Sequence, residues 1–446
     1  MWVLPESVLK AINIIEKSGH KVYVVGGCVR DHLMGRTIND YDMTTSASTE
    51  ELKELFKEYT LILAGEKHGT ITPVIDGEPF EITTFRTDGE YSDGRHPEEV
   101  KFVTSFKEDA ARRDFTMNSI GYNPAEGYVD HYGGVEDIKN GVIRCVGDAE
   151  KRFDEDALRI MRAVRFSSQL GYTLDEGTKK AAFVKADNLK KISGERVFEE
   201  LKKTVMGKNC EEVLNEYMGI LASVIPELSE MIGYDQQNYH HNLTLSAHTA
   251  KVVAGLPEDE VLRLAGLFHD IAKPACATVD ENGVKHFKGH PAKGAEMAKA
   301  ILTDLRCDNK TLEDVYTLIK EHDSDIPAEE KSVRRKLAKL GERLFFMLMD
   351  IKIADNLAQA PGFLRVDKFE NIKDIAREII KRGDCLSLKK LNIDGKDILS
   401  MGYSPSRKIG DCLERLLEKV IDGDIPNDRE ILLREAEEYM KTNQEA

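Results

Sequence analysis

Val24-Val25-Gly26-Gly27-Cys28-Val29-Arg30-Asp31, followed by Asn39-Asp40-Tyr41-Asp42, decides the fold of the N-terminal part. Lys21-Val22-Tyr23-Val24-Val25 is a short β-branched and aromatic run, which suits a buried strand. Two glycines let the backbone turn sharply and approach a ligand closely. The N–H groups of the helix that follows would face an anion such as phosphate. Asp40 and Asp42 stand at i and i+2; on a strand, both carboxylates leave one face. Two carboxylates beside a phosphate-binding turn suit magnesium-dependent phosphoryl or nucleotidyl transfer, where metal neutralises phosphates and aligns the attacking and leaving oxygens. A lone Gly-Gly or a lone Asp-x-Asp is weak evidence, because the second is usually a solvated turn. The order strand, Gly-Gly, helix, Asp-x-Asp supplies the context.

In that order the string resembles the nucleotidyltransferase superfamily of the DNA polymerase β type. From Val25 to Asp42, with Arg30-Asp31 and Gly35, it resembles the bacterial class II tRNA nucleotidyltransferases and their poly(A) polymerase relatives. The resemblance implies that Gly26, Gly27 and Arg30 cradle a triphosphate and that Asp40 and Asp42 hold Mg2+ and carry the catalysis.

Composition bounds the rest. A chain of 446 residues is too long for one ordinary core, so several modules are expected. No apolar run is long enough to span a bilayer, and Met1-Trp2-Val3-Leu4-Pro5-Glu6-Ser7 lacks the basic start and apolar stretch of a secretory signal. Seven scattered cysteines without a C-x-x-C pair argue for reduced thiols in a cytoplasmic protein. The net charge of −16 argues against a nucleic-acid partner unless Lys and Arg concentrate on one face.

Residues 1–20 read as a helix, and Thr49 opens another running to about Glu58. Strands are expected over Thr70–Ile75 and Phe80–Phe85, joined by a hairpin at Asp76-Gly77-Glu78. Glu81 is either an exposed strand glutamate or, by the resemblance, the third carboxylate of the superfamily. Residues 86–97 are polar and glycine-rich, so a mobile loop is expected. The resemblance gives it a meaning, since enzymes adding all of C, C and A keep such a loop. Ala111-Arg112-Arg113-Asp114-Phe115-Thr116-Met117-Asn118 matches the second family motif. Its adjacent arginines suit bidentate grip of triphosphate oxygens. Arg112, Arg113, Asp114 and Asn118 are therefore nucleotide-binding candidates. An Arg-Arg-Asp on a helix is otherwise a common salt-bridged surface.

Near residue 145 the periodicity becomes helical and stays so, with no further strand-like run. Arg152 to Arg159 opens the first of these helices, with Asp156 and Arg159 three apart on one face. Asp accepts and Arg donates, so the pair complements the amino group and neighbouring acceptor of cytosine or adenine, and not the edges of U and G. Geometry alone favours a plain i, i+3 salt bridge; the family's Glu-Asp-x-x-Arg motif favours base reading without a nucleic-acid template. Arg162 and Arg165 continue that face and suit base stacking or phosphate. Glu195, Arg196 and Glu200 match the next motif, Glu-Arg-x-x-x-Glu, in a supporting role.

A second constellation lies at 240–360. His248, His269-Asp270 and Asp355 form a mixed imidazole and carboxylate set. It resembles the HD phosphohydrolase superfamily, and His290 and His322 suit a second metal, a divalent transition ion or Mg2+. His240 and His241 read as solvated surface. Lys389, Lys390, Lys396, Arg407 and Lys408 in the tail are either a solvated face or RNA contacts.

The expected fold is an elongated multi-domain chain. An α+β head (1–145) with a polymerase β-like mixed sheet and helices precedes an all-α neck (146–225), an HD domain (226–360) and a helical tail (361–446). The implied activity is addition of C, C and A from CTP and ATP to the tRNA 3′ end, with a metal-dependent phosphohydrolase in the HD part. An A-adding enzyme or poly(A) polymerase shares every motif quoted. A phosphohydrolase with an RNA-holding N-terminal half, or a non-catalytic RNA-binding protein, is the reading of another class. No membrane partner is expected, and the oligomeric state is open.

Overall fold

The computed structural model describes residues 2–88, 100–240, 242–404 and 407–442. Most of the expected loop, from residue 89 on, and His241 lie outside them. The chain forms two compact units, 1–232 with 304–307, and 233–303 with 308–446. Among the described residues no helix is long and apolar enough to cross a membrane.

The first unit opens with α1 (Glu6–Lys17), which buries Val8, Ala11, Ile12 and Ile15. Next come β1 (Val22–Val25), α2 (Gly27–Leu33), β2 (Asp42–Thr45) and α3 (Thr49–Leu55). Ser48 and Glu51 form a reciprocal cap on α3. Then follow β3 (Thr60–Ile62), β4 (Thr70–Ile75), β5 (Glu78–Pro79), β6 (Ile82–Thr84), β7 (Arg86–Asp88), β8 (Val100–Phe102) and α4 (Phe106–Ala111). The β4–β5 hairpin turns through Asp76 and Gly77 at φ 54° and 88°, as two-residue loops require. β9 (Gly121–Asn123), β10 (Gly127–Val129), α5 (Gly134–Asn140) and β11 (Val142–Ile143) complete the sheet-bearing part.

The main sheet runs β10-β9-β1-β2-β6-β4-β3, with β5 on β4. β1 and β2 are antiparallel with Val25 opposite Asp42, and β2 and β6 are parallel with Met43 opposite Ile82. The end of β1 and the starts of β2 and β6 therefore meet at one edge of the sheet. Val22, Val24 and Val25 are buried, and Tyr23, Val25, Phe85, Phe106 and Ala110 form one core cluster beside this edge.

Asp40 departs from the expectation. It precedes β2, which starts at Asp42, so the two carboxylates do not share a strand. Gly26 turns the chain away after Val25, so β2 has no β1 partner before Asp42. The absence of later strands is also corrected. β12 (Thr173–Leu174) pairs with β11 between α6 (Ala149–Glu155), α7 (Leu158–Leu170) and α8 (Glu176–Val184). Two-residue strands are too short to leave a period-two signal. α9 (Gly194–Val205) and α10 (Cys210–Leu221) follow.

The second unit holds α11 (Leu245–Gly255), α12 (Glu260–Phe268), α13 (Lys273–Cys276), the hairpin β13 (Thr278–Val279) and β14 (Lys285–His286), α14 (His290–Asp304) and α15 (Asn309–Glu321). α16 (Glu330–Leu357) is interrupted at Gly341, whose φ 74° and ψ 165° are not helical. α17 (Val366–Arg382), α18 (Gly395–Ser400), α19 (Arg407–Asp422) and α20 (Arg429–Thr442) end the chain. Ile393, Ile398, Cys412, Leu416, Leu432 and Ala436 belong to a core cluster of the tail's own.

Candidate active site and metal centre

The sheet edge gathers the first site. Gly26 adopts φ 79° and caps α2, so the chain reverses direction at the end of β1. A Cβ on Gly26 would lie 3.7 Å from Nη1 of Arg113 and 3.8 Å from Oδ2 of Asp42. Asp42 opens β2, and Glu81, just before β6, accepts the Met43 N–H at 2.9 Å through its carbonyl. Asp42 opens to solvent on one side. Desolvation on the other, then the charges of Asp40 and Glu81, push its carboxyl up to about 6 against the pull of Arg113. Crowded carboxylates of this kind fit a divalent cation, which would relieve their repulsion.

A chain of polar contacts runs from the glycine turn to α7. Arg30 donates to Asp31 at 3.0 and 3.1 Å and to Asn118 at 2.9 Å. Asn118 donates to Asp114 at 3.0 Å, and Asp114 accepts two bonds from Arg162 at 2.9 and 2.6 Å. Burial alone would raise the Asp114 carboxyl, but Arg162 and Asn118 hold it down at about 2. The turn that carries Asn118 rests on the start of α5, where a Cβ on Gly134 would come 2.1 Å from the Thr116 carbonyl oxygen. Only a glycine permits that approach.

Asp156 and Arg159 correct the shared-face reading. Asp156 lies between α6 and α7 with φ −141° and ψ 103°, and its carboxylate accepts the Leu158 N–H at 3.0 Å. An aspartate capping the next helix breaks the helix before it. Arg159 pairs with Glu155 at 2.8 Å and donates to the Arg112 carbonyl at 3.0 Å, while Asp156 meets Arg196 at 3.3 Å. Arg165 pairs with Glu200 at 2.9 Å, and burial pushes its guanidinium down to about 10. Arg30, Arg162 and Arg165 all lie over the Phe166 ring, at 5.0, 5.4 and 4.0 Å. Glu195 is exposed. Sequence reasoning gave Glu155 no role beyond opening the Glu-Asp-x-x-Arg motif, and passed over Phe166 and Asp109. The last is a fully buried carboxylate paired with Arg112 and Arg113, and its i, i+3 and i, i+4 spacing was the available signal.

In the second unit the structure brings together all six residues of the second set. His248, His269 and Asp270 converge, as do Asp270, His290 and His322. Asp270 Oδ2 lies 3.6 Å from Nε2 of His248 and 3.0 Å from Nε2 of His269, while Oδ1 lies 3.2 and 3.7 Å from Nε2 of His290 and His322. Asp355 meets His248 at 3.0 Å. Nδ1 of His269, His290 and His322 lies 2.7, 2.8 and 2.7 Å from the carbonyls of Gly266, Phe287 and Ile319. Such anchoring turns each Nε2 lone pair inward, as metal-ligating histidines require. Nε2 of His269 is buried and finds no well-aligned hydrogen bond. Burial would raise the Asp270 carboxyl, but His269 and Lys273 hold it well below the usual range. His248, His269, Asp270 and Asp355, and Asp270 with His290 and His322, are donor sets that could hold a divalent ion. A cavity of about 650 Å3 opens beside it, lined among others by Lys352, Phe363, Arg365 and Lys368. His240, read as plain surface, also lines it, with its ring 4.2 Å from that of Phe363.

Residues 22–144 match the model described as "Poly A polymerase head domain", and 171–232 match "Probable RNA and SrmB- binding site of polymerase A". Residues 292–436 match tRNA nucleotidyltransferase domain 2. The CCA-adding enzyme of Lactobacillus helveticus is 33% identical over 435 residues, covering 95% of each chain. The chain belongs to the CCA-adding enzyme family. The family's Geobacillus kaustophilus member is 48% identical over 209 residues, 47% of this chain and 51% of that one. The solved Bacillus stearothermophilus CCA-adding enzyme in complex with CTP superposes over 100% of both chains with TM-score 0.76 at 27% identity. The Thermotoga maritima CCA-adding enzyme complexed with tRNA shares the fold, with TM-score 0.61 at 20% identity.

Proposed function

We propose that this protein adds C, C and A to the 3′ end of tRNA, using CTP and ATP. The observation that carries the reading is the meeting of Gly26, Arg113, Asp42 and Glu81 at one sheet edge, in a chain similar to CCA-adding enzymes along its length. Asp40 and Asp42, with Glu81, would hold magnesium, which when bound neutralises the phosphates and aligns the 3′ oxygen with the α-phosphorus. The backbone N–H groups after Gly26 and the guanidinium groups of Arg30, Arg112 and Arg113 bind the triphosphate. The 3′ hydroxyl attacks the α-phosphorus and pyrophosphate leaves. Asp156 and Arg159 read the base, Arg159 being oriented by Glu155. The chain is divided into head (1–145), neck (146–225), HD part (226–360) and tail (361–446), with RNA contacts in neck and tail. Residence in the cytoplasm goes with seven free cysteines.

The test supplies magnesium and tRNAs ending before CCA, after C and after CC, with each nucleotide alone and together. Ordered addition stopping at CCA supports the proposal. Addition of A to the CC-ending tRNA alone makes the protein an A-adding enzyme, and long A tails make it a poly(A) polymerase. Asp40→Ala is expected to abolish C and A addition alike, whereas Asp156→Ala mainly loosens discrimination.

The anchored histidines favour a second activity, metal-dependent phosphohydrolysis at His248, His269, Asp270, His290, His322 and Asp355. Phosphatase activity on small phosphoesters with nickel or magnesium is expected. It disappears in His269→Ala/Asp270→Ala while CCA addition persists; activity unchanged by that variant refutes the assignment.

A further inference from the structure

Asp109 lies within α4 with a side chain of 0% exposure, where a carboxylate without partners is costly. Its two oxygens serve different elements. Oδ1 accepts from Arg112 at 3.0 and 2.8 Å and from the Arg86 N–H at 3.3 Å. Oδ2 accepts from Arg113 at 3.1 Å and lies 3.4 Å from the Thr44 hydroxyl, whose shorter bond, 3.0 Å, goes to the Thr83 carbonyl. Thr44 lies on β2, two residues after Asp42, and Arg86 opens β7. Burial would raise this carboxyl, but Arg113 and then Arg112 keep it below its ordinary value. Arg113 uses Nη2 on Asp109, while its Nη1 lies near Gly26 and its Nε is buried without a hydrogen-bond partner. One fixed anion thus sets the orientation of two cationic forks beside the strand that carries Asp42. Without it, each arginine would have to lose its rotamer freedom on binding the ligand.

We propose that Asp109 is a positioning residue for nucleoside triphosphate binding, holding Arg112 and Arg113 in the orientation in which they meet the phosphates. This rests on the reading of those arginines as triphosphate ligands. A merely structural ion pair would weaken the fold without distinguishing one nucleotide from another; a positioning role is felt through the β- and γ-phosphates.

The experiment measures CTP and CMP binding by calorimetry to the full chain, with thermal unfolding and steady-state C addition, for Asp109→Asn, Asp109→Glu and Arg113→Ala. Asp109→Asn is expected to weaken CTP about tenfold, the scale of a charge-assisted bond, and to leave CMP within about twofold. The KM for CTP rises while that for tRNA is unchanged, and Asp109→Glu recovers part of the loss. Combined with Arg113→Ala, Asp109→Asn costs less than it does alone, because only Arg112 remains to lose its orientation. Normal CTP affinity in Asp109→Asn, with weak CTP binding in Arg113→Ala, overturns the positioning role and leaves the arginine reading standing. Normal CTP affinity in Arg113→Ala overturns the arginine reading itself. Equal losses of CTP and CMP make Asp109 structural and also overturn the proposal. Should Asp109→Asn fail to fold, Asp109→Ser decides: unchanged CTP affinity there overturns it.

Discussion

Replacing Asp114 by Asn should weaken the first unit by a predictable amount. The carboxyl is held at about 2, against an ordinary 3.8. At 1.36 kcal/mol per pH unit the difference corresponds to about 2.4 kcal/mol. Asp114→Asn also leaves Arg162 without its anion, but Arg162 is about one-third exposed and water recovers part of that cost. The expected loss at pH 7 is about 2–3 kcal/mol. Because the folded value is depressed, the contribution is complete above 3.8 and fades as pH falls toward 2. By pH 3 the difference between wild type and variant should drop to about half. The sequence holds one tryptophan, Trp2, stacked on His32 at 4.1 Å in the first unit. Its fluorescence in urea therefore follows that unit without interference from the second. A difference below about 0.5 kcal/mol at pH 7, the range of an ordinary surface substitution, would refute the reasoning. So would a difference of the same size at pH 7 and pH 3.

Gly26→Ala places a side chain at φ 79° and ψ −137°, which costs about 1–3 kcal/mol of backbone strain. It also sets a methyl against Arg113 and Asp42, so the KM for CTP should rise as the Trp2 transition falls, and an unchanged KM would count against the glycine turn as part of the site. Gly134→Ala meets the Thr116 carbonyl at 2.1 Å and should shift that transition further than Gly26→Ala does, which side-by-side urea curves will show. Asp42, pushed up to about 6, binds a proton in competition with magnesium. Half-saturating magnesium should be higher at pH 5.5 than at pH 7.5, and equal values would count against Asp42 as a ligand. A raised carboxyl value also means that the ionised Asp42 opposes folding above that pH. Asp42→Asn should therefore unfold no earlier than wild type at pH 7.5 while losing activity.

The glycine turn was legible because each of its signals is local: a β-branched run, two glycines and a carboxylate pair. The placement of Glu81 beside Asp42 follows from the parallel pairing of β2 and β6, which no local pattern reveals. Asp156 misled for a physical reason. Its spacing to Arg159 fits a helical face, but its carboxylate caps Leu158 and ends the helix that the spacing assumed. His269-Asp270 could be read from adjacency, whereas the 3.2 Å approach of His290 to His322 depends on the packing of α14 and α15. Asp109 sat one turn before an arginine pair, and only its complete burial distinguishes it from an ordinary surface carboxylate.

The break at Gly341 divides α16 into two mechanical segments. The first meets the tail through Arg334 on Asp384 and Arg335 on Asp422; the second meets α17 through Asp350 on Lys373 and bears Lys352 and Asp355. A residue at φ 74° and ψ 165° interrupts the amide ladder, so fraying that starts at the tail end has no continuous path of i to i−4 bonds to the histidine cluster. In hydrogen exchange the segments before and after Gly341 should behave as separate cooperative blocks.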